Sequence, residues 1–296
     1  MELITYQRDD ISHVALQGRL DATGVEEIEQ AFEEATTDRG LSAVVDLSGI
    51  SFMSSLGIGF LFATTKRLKN VDCKLVLLNP KGMVDTVLKT SKMDKVMPLF
   101  YDLDEAVRAV GGDPTIADEV TATDADSEVA KPDAESTPSE KPDTILKLSI
   151  ANEMSELEGL YVTVNQFLES HQTPYRSGYA VNLAIEELVV NVIRYAYLDD
   201  DQHTIDIGLG VIDEQIILEI RDSGRPFDPS NAPQRDPDLE EPDVGGLGLT
   251  LVLDLVDTLS YQRTDEKNNV RVCIHIREEE DGELWSTVND GASTGN

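Results

Sequence analysis

Residues 44–61 read "VVDLSGISFMSSLGIGFL". The segment "SAVVDLSG" at 42–49 is short, apolar and β-branched, the signature of a buried strand. Residues 56–70, "LGIGFLFATTKRLKN", follow with helical spacing. Ser54 and Ser55 stand where the strand hands over to the helix. The first amides of a helix have no intrahelical partner, and a serine oxygen there accepts from one of them. That is ordinary capping chemistry. A hydroxyl in the same place is also one that another group can reach and modify.

Outward from this junction, the first half alternates strands and helices. "ELITYQ" and "HVALQGRL" are β-rich, with "RDD" between them as a hairpin turn. "DATGVEEIEQAFEEAT" carries Val25, Ile28, Ala31, Phe32 and Ala35 at helical spacing. "CKLVLLN" predicts a strand, and "KGMVDTVLKTSK" and "DLDEAVRAV" predict helices. Helices packed on a small sheet make this half an α/β layer.

Residues 113–143 hold ten acidic residues, two basic residues and four prolines, with no aromatic residue. Such a stretch cannot bury enough apolar surface to offset its ordering entropy, so it reads as a disordered acidic linker. Beyond it the pattern changes. A strand "TILKLSI" precedes two long helices, at about 153–171 and 175–198. The strands "HTIDIGLGVI" and "QIILEIRD" follow, then a Pro-, Asp- and Gly-rich loop. The helix "GLTLVLDLVDTL" and the strands "SYQRT" and "NVRVCIHI" close the half, which reads as α+β. Four segments result: a domain at 1–112, the linker at 113–143, a second domain at 144–278 and an acidic tail at 279–296.

The chain has 296 residues and a net charge of −33. That excess leaves no basic face to meet phosphates, which argues against direct nucleic-acid binding and against anionic membranes. A host with a salty cytoplasm would also account for it. No apolar run is long enough to span a bilayer, and a cytoplasmic protein is expected. Two cysteines, Cys73 and Cys273, one in each half, argue against a disulfide framework or a cysteine-ligated metal.

Three motifs in the second half carry chemistry. In "IEELVVNVIRY", Glu187 and Asn191 lie four apart and share a helix face, while Leu183, Val190 and Ile193 face the core. A carboxylate beside a carboxamide suits proton acceptance and a hard cation. Alone, the pair is more simply a polar helix surface. In "ILEIRDSGRPFDP", Asp222 ends a strand and Gly224 permits close backbone approach, which suits a ligand amino group; Asp-Ser-Gly is also a common strand exit. In "VGGLGLTLV", Gly245, Gly246 and Gly248 precede a helix, the arrangement that cradles phosphate, or else a plain glycine-rich turn. Each is weak alone, but the ordered trio is strong.

Residues 144–276 resemble the GHKL (Bergerat-fold) ATP-binding superfamily, and "DSGRPFDP" with "GGLGLTLVLDLVD" resembles its anti-sigma-factor serine kinase branch. The resemblance implies an α+β sandwich that binds ATP and Mg²⁺. It implies Glu187 as general base or water-orienting group, Asn191 as the Mg²⁺ ligand and Asp222 as the adenine contact. Gly224 would lie under the base, Gly245, Gly246 and Gly248 at the phosphates, and residues 229–244 would form a mobile lid. Tyr195 stands where relatives often carry histidine. Residues 1–110 resemble the STAS domain of anti-sigma-factor antagonists, whose phosphoacceptor serine corresponds to Ser55. Ser54 replaces the aspartate common before it and is the second candidate.

The function expected from these resemblances is partner-switching control of transcription. An ATP-dependent serine kinase domain phosphorylates an antagonist serine, including its own Ser55, in cis or in trans within a homodimer. A sigma factor or a separate STAS antagonist is the expected external partner. A flexible linker of 31 residues, about 30 Å end to end, allows contact in cis at a local concentration of order millimolar. The alternative is a non-catalytic nucleotide-binding interaction module or signalling scaffold.

Overall fold

The computed structural model describes residues 1–8, 10–112, 145–199, 201–212, 214–231 and 246–276. The linker and tail segments, Gly245 and most of the expected lid therefore lie outside the described residues.

In the N-terminal domain, β1 (Glu2–Arg8) and β2 (Ile11–Leu20) form an antiparallel hairpin. Strands β3 (Ser42–Met53), β4 (Leu75–Leu78) and β5 (Leu99–Phe100) add in order, each parallel to the one before. The connecting helices are α1 (Ala22–Ala35), α2 (Ser55–Lys69) and α3 (Gly82–Thr90), and α4 (Leu103–Ala109) closes the domain. The pleat sorts β3 between two cores. Ala43, Val45 and Leu47 face α1, α2 and α3, while Val44 faces Ala106 and Val110 at α4. Ala31, which spacing puts on the apolar stripe of α1, is exposed. Strand β3 is longer than its apolar core suggests and runs through Phe52 and Met53, so Ser54 follows it without a loop. The two-residue β5 has no counterpart in the sequence pattern, because so short a strand shows no alternation.

The C-terminal domain holds β6 (Ile145–Ala151), α5 (Leu157–Ser170), α6 (Tyr175–Tyr195), β7 (Thr204–Ile212) and β8 (Gln215–Asp222), then α7 (Leu247–Leu255), β9 (Thr258–Thr264) and β10 (Lys267–His275). Its sheet runs β6-β7-β8-β10-β9, with all neighbours antiparallel. Ile205, Ile207 and Leu209 alternate inward, as do Ile216, Leu218 and Ile220 and Val270, Val272 and Ile274. They form the floor on which α6 packs. Helix α7 stops at Leu255, short of the "VDTL" that its apolar run includes. Val256 turns extended and the Asp257 amide already bonds to Cys273 of β10. Sheet pairing wins over helical spacing there.

Apart from the small cluster under α4, the buried apolar residues of the two domains form one continuous cluster. Helix α6 of one domain lies against the β3–α2 junction of the other. Among the described residues no helix is long and apolar enough to cross a membrane.

Candidate active site at the domain junction

One face of α6 carries Tyr175, Tyr179, Glu186 and Glu187, at spacings of four and then seven or eight. Tyr175 Oη donates to the Ser51 carbonyl at 2.6 Å. Tyr179 Oη donates to the Met53 carbonyl at 2.8 Å and accepts from the Met53 amide at 3.3 Å. Burial pushes the Tyr179 phenol well above its ordinary pKa, so it stays a donor. Its ring packs on Phe52, with centroids 4.9 Å apart.

Glu187 follows two turns along. Its Oε1 accepts from the Ser55 amide at 2.9 Å, and its Oε2 accepts from Ser55 Oγ at 2.7 Å. The spacing places Ser54 and Ser55 at the start of α2, but the capping differs from what a lone serine would do. Ser54 holds the cap position and makes no side-chain capping bond, and its Oγ is buried without a partner. Ser55 is the first helical residue, and its hydroxyl turns to the other domain instead of to its own helix. The carboxylate that finishes α2 is Glu187, 132 residues away in sequence. Burial raises the Glu187 pKa, while the two Ser55 bonds and the nearby Arg194 pull it back. A desolvated carboxylate on a hydroxyl at hydrogen-bond distance can accept that proton. Gly248, in the first turn of α7, completes the enclosure. A Cβ there would overlap Glu187 Oε2 and lie 2.8 Å from Ser55 Oγ, so only glycine fits.

Glu186 makes a parallel contact that the sequence did not single out. Its Oε1 accepts from the Ala22 amide, the first of α1, at 2.9 Å. No local pattern distinguishes it from a solvated neighbour of Glu187.

Asn191, one turn beyond Glu187, lines a cavity of about 400 Å³ with Leu188, Ile220, Asp222, Phe227 and Val270. The volume and apolar walls suit a flat aromatic ligand. Asp222, at the end of β8, is 5% exposed. Its Oδ1 accepts from the Gly224 amide and from Asn268 Nδ2, both at 2.8 Å, leaving Oδ2 for a ligand donor. A Cβ at Gly224 would lie 2.7 Å from the Ala196 carbonyl, so that turn is pressed against the end of α6. Because β10 starts two residues early, at Lys267, Asn268 lies outside the expected last strand. Its amide also donates to the Arg225 carbonyl at 3.1 Å, and its Oδ1 accepts from Tyr261 and Arg263. The signal was parity: Asn268 shares the inward face of Val270, Val272 and Ile274.

Gly246 caps α7 at φ 86°, a left-handed conformation that favours glycine. The first turn of α7 lies beside Glu187 through Gly248, and the amides of a helix start can bind phosphate. Among the described residues no group of three or more His, Cys, Asp or Glu side chains could hold a metal by itself. A cation at Asn191 fits only as one amide oxygen supplemented by phosphate oxygens and water, which is how Mg²⁺ is commonly held.

Residues 2–106 match the sequence model of the STAS domain, and residues 150–274 match that of the histidine kinase-like ATPase domain. The serine/threonine-protein kinase BtrW of Bordetella bronchiseptica is 28% identical over 102 residues, covering 34% of this chain and 72% of that one. The serine-protein kinase RsbW of Oceanobacillus iheyensis is 30% identical over 89 residues, 28% of this chain and 56% of that one, so the match spans just over half of that relative. The anti-sigma-F factor antagonist RsfB of Mycobacterium tuberculosis is 24% identical over 102 residues, 34% of this chain and 83% of that one.

Proposed function

Because the chain joins a STAS domain to a histidine kinase-like ATPase domain, we propose that it is a partner-switching regulator whose kinase domain phosphorylates its own Ser55. The observation that carries this reading is the 2.7 Å bond from Ser55 Oγ to Glu187, one helical turn from the cavity that Asn191 and Asp222 line.

ATP is the phosphoryl donor. Its adenine amino group donates to Asp222, with Asn268 holding that carboxylate and Gly224 lying under the base. The amides from Gly246 to Gly248 meet the phosphates. Asn191, with phosphate oxygens, would hold Mg²⁺, which would supply charge neutralisation there. Glu187 takes the Ser55 hydroxyl proton as Oγ bonds to the γ-phosphorus. The bond from that phosphorus to the bridging oxygen breaks, and ADP leaves with the electron pair. The acceptor is Ser55; Ser54 offers no hydroxyl to Glu187.

The product explains the switch. A phosphoserine carries nearly two negative charges. At residue 55 they would sit against a buried carboxylate, and the junction would open. The freed α6 face is then open to a sigma factor or to a separate STAS antagonist. In a homodimer the same docking runs between chains.

Intact-mass spectrometry with ATP and Mg²⁺ tests the reading. A gain of one phosphate, absent in Ser55→Ala and Glu187→Ala, is expected. No gain with ATP still bound would make the chain a nucleotide-gated binding module instead.

A further inference from the structure

Two adjacent carboxylates of α6 meet two different helix starts of the STAS domain. Glu187 takes Ser55, and Glu186 takes the Ala22 amide at 2.9 Å. We propose that Glu186 is a positioning residue that clamps the start of α1 as an uncharged carboxyl, so that docking of Ser55 onto Glu187 is linked to proton uptake. This rests on the kinase reading for its purpose and on the junction alone for its physics.

The geometry around Glu186 leaves its charge uncompensated. The residue is 1% exposed. Its Oε1 has the Ala22 amide, and its Oε2 is buried with no hydrogen-bond partner. From the STAS side it faces Asp21 and Arg19, and from its own helix Glu187. Asp21 and Glu187 are like charges. Among the described residues Arg19 is the cation that acts on Glu186, and its buried Nη2 makes no hydrogen bond to it. Its Nε binds Asp21 at 2.7 Å, and its guanidinium lies over the rings of Phe52 and Tyr161. A buried anion with one unsatisfied oxygen and two like-charged neighbours is unfavourable, and the neutral acid is not. Burial first, and then repulsion by Asp21, push the Glu186 carboxyl up to about 8.

When the domains part, Glu186 loses Asp21 and gains water, and its pKa returns toward the ordinary value near 4.3. The docked state therefore binds an extra proton. Docking is at full strength below the ordinary carboxyl range. It weakens as pH rises toward about 8, by close to tenfold per pH unit. A neutral amide in the same place would keep the acceptor for Ala22 and remove the proton.

The chain has two cysteines, Cys73 in one domain and Cys273 in the other, both partly exposed. Dyes whose emission is independent of pH, placed on these thiols of the full chain, report the docked fraction by energy transfer without nucleotide. In the parent chain, transfer should fall between about pH 5 and 8 and level off above that. In Glu186→Gln, transfer should exceed the parent's most at about pH 8 and converge on it as pH falls into the ordinary carboxyl range, with the slope shrinking by close to one proton. In Glu186→Ala, which strips the acceptor from Ala22, docking should be about tenfold weaker than in Glu186→Gln across the range. A Gln variant that keeps the parent's slope, or a parent with no slope, overturns the clamp. Because no ATP is present, this outcome is independent of phosphotransfer. An absent phosphate on Ser55 beside the expected pH profiles would sink the kinase reading and leave the clamp standing.

Discussion

Helices α1 and α2 of the STAS domain both begin against α6, and they begin differently. Helix α1 is capped at home: Asp21 accepts from the Gly24 amide at 3.0 Å and is braced by Arg19. The contact from Glu186 is an addition to a start already made. Helix α2 has no such cap. Ser54 contributes no capping bond, and the first amide and hydroxyl of the helix are satisfied across the junction by Glu187. One helix start is finished by its own domain and the other by a neighbour. A start that is left open is the one where a partner can matter, and it holds the hydroxyl proposed for phosphorylation.

The largest effect on this contrast should come from Glu187→Gln. Gln keeps an acceptor for the Ser55 amide and loses the base, so phosphate transfer should fall by about 10²- to 10⁴-fold while the domains still dock. Single-turnover transfer from labelled ATP measures it, and a rate within tenfold of the parent would remove Glu187 from the chemistry. Gly248→Ala should come next. Its methyl group would displace the carboxylate that finishes α2, so energy transfer between the domains should drop by about tenfold or more. Unchanged docking would mean α7 has room to yield. Asp21→Ala removes the internal cap of α1 and should lower unfolding free energy by about 1 kcal/mol, read from denaturant midpoints. Ser54→Ala should be the mildest, within about 0.5 kcal/mol of the parent or slightly stabilising, because the hydroxyl it deletes is buried and unpaired. A cost as large as that of Asp21→Ala would show that Ser54 caps α2 when the domains are apart.

What could be read in advance was whatever the chain writes locally. The hairpin of β1 and β2, the handover at Ser54 and Ser55, and the period of α6 each lie within a few residues of their own signal. So do the end of β8 at Asp222 and the start of α7 after Gly246, whereas Gly248, expected before the helix, lies in its first turn. The end of α7 and the strand β5 were missed where sheet pairing decided the outcome. Contacts between distant residues were also out of reach: at the junction Ala22 meets Glu186 across 164 residues, and at the cavity Asp222 meets Asn268 across 46. The serine's role as a cap was the natural inference from an isolated helix start, and it gave way because a second domain supplies a stronger acceptor.

The bonds that α6 makes to the STAS domain end mostly on main-chain atoms: the carbonyls of Ser51 and Met53, and the amides of Ala22, Met53 and Ser55. Only the Ser55 hydroxyl among these is a side-chain atom. Such a surface reads the shape of a strand running into a helix, and it is nearly blind to spelling. The residues at 22, 51 and 53 can drift without breaking a bond, and any STAS domain with the same two helix starts and a serine at the second is an acceptable visitor. Faithfulness to one partner then comes from being tied to it. Under the proposed function, the covalent link between the two domains is what would give the resident domain precedence over look-alikes.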